Sequence, residues 1–149
     1  MKIQIIALCA GLLTLTGLPL RGASSLQLDL VGVSGNTVEI AVQYSGPSIA
    51  GLQWTLAFPA GASGTTVIGS TAHAASKTLS CAATAATQIC MLWGDLNADI
   101  FRSGQMAVYD IIVPGPGTYK FSIEDVLGAL ADAGAVAITG NTLSVKVKK

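Results

Sequence analysis

From Ser25 onward, apolar residues recur at every second position in short runs separated by turn residues. A period of two places alternate side chains on opposite faces of a strand, and so points to β-sheet rather than helix. Leu26, Leu28 and Leu30 alternate with Gln27 and Asp29. In the next run Val38, Ile40, Val42 and Tyr44 share one face, with Glu39, Ala41 and Gln43 on the other. Leu52, Trp54, Leu56 and Phe58 form the bulkiest face of the third run, and Gly51, Gln53, Thr55 and Ala57 form its reverse. Ser34-Gly35-Asn36, Ser45-Gly46-Pro47-Ser48 and Pro114-Gly115-Pro116-Gly117 break the runs as turns.

Residues 59–76, rich in Ala, Gly, Ser and Thr, read as loops around a minor strand at Thr66–Ile68. Lys77–Cys81 and Gln88–Trp93 flank a short connection and form an expected hairpin. Gln105–Val113 is apolar on both faces, which predicts a central strand. Tyr119, Phe121 and Ile123, then Leu143, Val145 and Val147, supply the last alternating runs. Between them, Glu124–Ala133 has room for one helical turn, with Gly128 and Gly134 opposing a longer helix. The expected fold class is all-β, a two-sheet β-sandwich of about nine strands.

The first residues predict a compartment. Met1-Lys2 precedes an apolar run from Ile3 to Leu18, and Gly22 and Ser24 are the small residues of a cleavage site after Ser24. Residues 1–24 are therefore expected to be a signal peptide, residues 25–149 one domain, and the product secreted, extracellular or periplasmic. A membrane anchor is the rival reading, but a span needs about 20 apolar residues and this run is shorter. Cys9 lies inside the apolar run rather than at its end, which argues against a lipoprotein.

Without Lys2 and Arg21, six basic residues face eight acidic ones, a net charge of −2. That balance offers no electrostatic case for nucleic acid or an anionic membrane as partner. The two cysteines of the domain, Cys81 and Cys90, are expected to pair in an oxidising compartment, with two buried free thiols as the alternative.

Three stretches, in this order and spacing, carry a family resemblance: Ser48-Ile49-Ala50-Gly51-Leu52-Gln53-Trp54-Thr55-Leu56-Ala57-Phe58-Pro59; Ile89-Cys90-Met91-Leu92-Trp93-Gly94-Asp95 with Ser103-Gly104-Gln105-Met106-Ala107-Val108; and Gly115-Pro116-Gly117-Thr118-Tyr119-Lys120-Phe121-Ser122-Ile123 with Ala129-Leu130-Ala131-Asp132-Ala133-Gly134. Together they resemble the cohesin-like family, whose modules share a jelly-roll sandwich with certain carbohydrate-binding modules. The resemblance implies a jelly roll and, in cellulosomal scaffold proteins, binding of dockerin, a small calcium-loaded module carried by polysaccharide-degrading enzymes. The family's dockerin-contacting strand often presents Asn and Asp two residues apart; here Gly51 and Gln53 hold those outward positions.

Candidate sites follow from residue type. The outward row Gly51, Gln53, Thr55 and Ala57 is flat and uncharged, which suits contact with an extracellular protein because desolvation costs little. A polysaccharide partner would need exposed rings, and Trp93, Phe101 and Tyr109 are the candidates, since the other aromatics fall on apolar strand faces. Asp95, Asn97 and Asp99 match the first three positions of a calcium loop, but Ile100 replaces its Gly and Met106 its bidentate acid. Asp125 and Asp132 are a weaker pair of oxygen donors. No cofactor is implied beyond that possible calcium. His73, the single histidine, has no acid or nucleophile pattern beside it, and no acid pair marks a hydrolytic cleft. The expectation is a binding module rather than an enzyme: one that associates with proteins, with carbohydrate binding or a structural role at the surface or in a matrix as alternatives.

Overall fold

The computed structural model describes residues 23–94 and 99–149, so the expected signal peptide and the calcium candidates Asp95 and Asn97 lie outside the described residues. The strands are β1 (Ser25–Ser34), β2 (Thr37–Ser45), β3 (Gly51–Ala57), β4 (Ser63–Ile68), β5 (Thr78–Ala83), β6 (Thr87–Trp93), β7 (Gly104–Ile112), β8 (Gly117–Ala129), β9 (Ala135–Ala137), β10 (Thr139–Gly140) and β11 (Thr142–Val147). One helical turn, α1 (Ser70–Ala74), follows β4. The two sheets have the orders β10-β1-β2-β7-β4 and β11-β8-β3-β6-β5, with β9 added beside β8. This is the expected all-β jelly-roll sandwich.

The alternation turns into layers. Val38, Ile40, Val42 and Tyr44 of β2 face Leu52, Trp54 and Leu56 of β3 across a core to which Phe121, Val145 and Val147 also belong. Ile40, Leu56 and Phe121 are fully buried, each contributing about 1.5–3 kcal/mol relative to exposure. Leu30 keeps its expected face, opposite buried Ile40, yet is 47% exposed beside the register shift of β1 between Leu30 and Gly32. Asn141 lies at the crossing between the sheets, between β10 and β11. Its Oδ1 accepts from the Leu28 backbone N–H at 2.7 Å, standing in for a ladder partner just before the chain enters β11.

Two local expectations are corrected. Glu124–Ala129 is not helical; it continues β8, because pairing with β3 satisfies its backbone in strand form. Asp125, at φ 49°, takes up the register shift opposite Gln53 and Thr55. The helical turn occurs instead at Ser70–Ala74, in the stretch read as loop, where Ala72 is buried and joins the core cluster. β4 extends the expected Thr66–Ile68 strand back to Ser63, and short β9 and β10 raise the count among the described residues above nine; such brief pairings leave no periodic trace in sequence.

Candidate functional site

The outer face of the β8-β3-β6 region is built by alternation. In β6, Gln88, Cys90 and Leu92 point into the core, which leaves Ile89, Met91 and Trp93 outside. Pairing sets these beside the outward residues of β3: Ile89 is opposite Thr55 and Met91 opposite Gln53. On the other flank, Leu127 of β8 is opposite Gln53 and Ala129 opposite Gly51. The result is a contiguous apolar patch with Ile89 45% exposed, Met91 46%, Trp93 38% and Leu127 50%. Gly51, Gln53, Met91, Trp93, Leu127 and Ala129 line a shallow depression in it of about 240 Å³. Strands β3, β5 and β6 contain no charged residue, and in the strand register the acids of β8 flanking the patch are Glu124, opposite Thr55, and Asp125, at the register shift between Thr55 and Gln53.

The structure sorts the residues expected to form sites. Gly51 and Gln53 lie in the depression, and Ala57 is half-buried at the far end of β3. Thr55 is not available for contact: it is 8% exposed, hidden between its cross-strand neighbours Ile89 and Glu124. Of the three expected surface rings, only Trp93 is at the surface. Phe101 is 2% exposed and packs edge-on against Tyr44 at 6.3 Å. Tyr109 is fully buried, so neither ring offers a face to a sugar. The pairing of Ile40 with Tyr109 and Val38 with Ile111 turns Tyr109 inward, a parity that a strand apolar on both faces does not reveal. Ile89, Met91 and Leu127 escaped notice for the same reason: β6 is apolar on both sides, and Leu127 fell in the expected helix.

Beneath the patch is a polar tie between the sheets. Trp54 Nε1 donates to Tyr109 Oη at 3.0 Å, and Cys90 Sγ lies 3.1 Å from the same oxygen. Cys81 and Cys90, directly opposite across β5 and β6 with Cα atoms 4.2 Å apart, form the expected disulfide. An oxidised sulfur can only accept, so the Tyr109 hydroxyl is the donor in that contact. Burial pushes the Tyr109 phenol up to about 12, against the lowering effect of its hydrogen bonds to Trp54 and Thr66. Gln88 Oε1 accepts from Thr66 Oγ1 at 2.6 Å, a second link from β6 to β4.

Asp99, the described member of the calcium trio, is exposed; its charge counteracts the lowering of the Lys77 ammonium by burial, Lys77 being 6% exposed. His73 is exposed on α1. Among the described residues no three His, Cys, Asp or Glu side chains cluster as metal ligands, and no helix is long and apolar enough to cross a membrane.

No protein-family model and no curated protein matches the sequence. Solved structures do match the fold. A non-cellulosomal cohesin from the archaeon Archaeoglobus fulgidus superposes with a TM-score of 0.66 at 10% identity, covering 82% of this chain and 90% of that one. A structure of a type I cohesin–dockerin complex from Clostridium thermocellum gives 0.65 at 11% identity, over 83% and 94% of the two chains. The cohesin module of a family 33 glycoside hydrolase from Clostridium perfringens gives 0.62 at 12%, over 85% and 96%. The fold of this protein is cohesin-like.

Proposed function

We propose that this chain is an extracellular association module that docks another protein on the outer face of β8, β3 and β6, and that it binds without catalysing a reaction. The observation that carries the reading is the uncharged patch of Ile89, Met91, Trp93 and Leu127 around Gln53. Aliphatic and aromatic side chains grouped on a flat sheet face lose little on desolvation and gain from cover. The cohesin-like fold supports the same reading, since one of the similar structures is described as a complex with a dockerin. An assembly that degrades polysaccharide, or one at the cell surface, is the proposed setting. Gly51 and Gln53 in place of Asn and Asp point to a partner other than one read by that pair.

The test is capture of extracellular proteins on the immobilised chain, compared with Met91→Glu and Leu127→Glu. Both substitutions lie on the exposed face and should leave thermal stability within about 0.5 kcal/mol of the parent. A partner lost in both variants supports the proposal, and one retained by both removes it. Co-sedimentation with insoluble polysaccharide that is abolished by Trp93→Ala would favour sugar binding at the one exposed ring instead.

A further inference from the structure

Charge is divided between the two sheets. Strands β1, β2, β4, β7 and β10 carry Asp29, Glu39 and Asp110 and no lysine or arginine. These acids lie on the outer face: Asp29 is opposite Ala41, and Glu39 is directly opposite Asp110. Like charges so placed repel. The row continues to Gly32 on one side and Thr65 on the other, so no cation in the sheet offsets them. Val67 and Ile112, each 57% exposed, share this face, and Ile112 and Asp110 line a shallow depression of about 410 Å³ with Thr37, Ser63 and Thr65. Its apolar residues gain from being covered, and its charge selects a cationic cover.

The opposite sign is collected at one corner of the other sheet. The first half of β8, Gly117 to Ser122, pairs with β11, whereas β3 pairs with Ser122 to Ala129. On the β8–β11 ribbon Lys120 is opposite Ser144 and Lys146 opposite Thr118, both exposed, and Lys148 and Lys149 follow. Four of the six basic residues after Ser25 are therefore on this ribbon or just beyond it. Lys120 lies seven residues before Leu127 along β8, or about 20 Å of strand, so the ribbon is well separated from the apolar patch.

We infer that the outer face of the β1-β2-β7-β4 sheet is a docking surface for a second copy of this chain, which enters with its lysine-bearing β8–β11 ribbon. The two surfaces differ, so the contact is head to tail and can propagate into rings or filaments. Each copy keeps its Met91–Leu127 patch open, so partner capture and self-association are separate properties with separate readouts.

Sedimentation velocity of the purified protein over a wide concentration range tests this. At low ionic strength the average mass should climb with concentration past that of a pair, and high salt should return it to one chain by screening. Glu39→Lys with Asp110→Lys should weaken association about tenfold or more, as should Lys120→Glu with Lys146→Glu. An equimolar mixture of these two double variants should recover it, because each supplies the surface the other needs. Glu39→Gln with Asp110→Asn, which adds no new charge, gives the same direction should the lysine pair disturb folding. A protein that stays monomeric at low salt, or whose association ignores these reversals or is not restored by mixing, overturns the inference.

Discussion

Tyr109 Oη meets Trp54 Nε1 at 3.0 Å and Cys90 Sγ at 3.1 Å in a site closed to solvent, and removing that oxygen leaves a buried indole N–H without its acceptor. Tyr109→Phe is expected to cost about 1–3 kcal/mol, read as a lower urea midpoint with an unchanged slope. The same hydroxyl makes stability depend on alkaline pH. In the unfolded chain the phenol ionises near about 10, and in the folded chain near about 12. The neutral phenol therefore contributes fully below the lower value, and its contribution, about 2–3 kcal/mol, is lost as pH rises from there through the upper one. Urea midpoints across that window should fall faster for the parent than for Tyr109→Phe, narrowing the gap between them. Sequence placed Tyr109 at the surface because residues 105–113 are apolar on both sides. Only the register with β2 assigns its face.

β5 is an edge strand whose one ladder partner is β6, and the Cys81–Cys90 bridge ties it across the middle of that ladder. Replacing both cysteines by alanine should cost about 2–3 kcal/mol, the chain-entropy value for a loop of about ten residues. Hydrogen exchange should localise the effect: Thr78–Ala83 amides should lose most protection, while those of β2 should change only as far as global stability does. This hairpin was legible, because turn residues bracket two alternating runs. The 124–129 segment was not, since its mixed pattern lacks the period of two and leaves room for a helical turn despite Gly128. Pairing of Glu124, Leu127, Gly128 and Ala129 with β3 outweighs that alternative. α1 errs in the opposite direction: its Ala-rich segment has no distinct apolar stripe, and only the burial of Ala72 against the core reveals why it coils.

The chain opens in one sheet and closes in the other, with β1 beside β2 and β10, and β11 covering the edge of β8. The last strand is thus part of the core through Val145 and Val147, both 2% exposed. Truncation after Asn141 should uncover the β8 edge and Phe121 and abolish the cooperative thermal transition, whereas removing only Lys148 and Lys149 should leave it unchanged. Scanning calorimetry distinguishes the two. Strand-forming alternation, turn positions, the pair of cysteines and the low charge are properties of neighbours along the chain, and they were enough to specify a two-sheet sandwich. Which face of each strand meets solvent depends on partners far away in sequence, because a strand apolar on both sides satisfies the period of two either way round. Pairing across β8, β3 and β6 therefore made a surface patch of Ile89, Met91, Trp93 and Leu127. Pairing of β2 with β7 turned Tyr109 inside and set Glu39 beside Asp110, the bridge to Ile49 holds buried Phe101, and the β8–β11 ribbon gathered the lysines on another face.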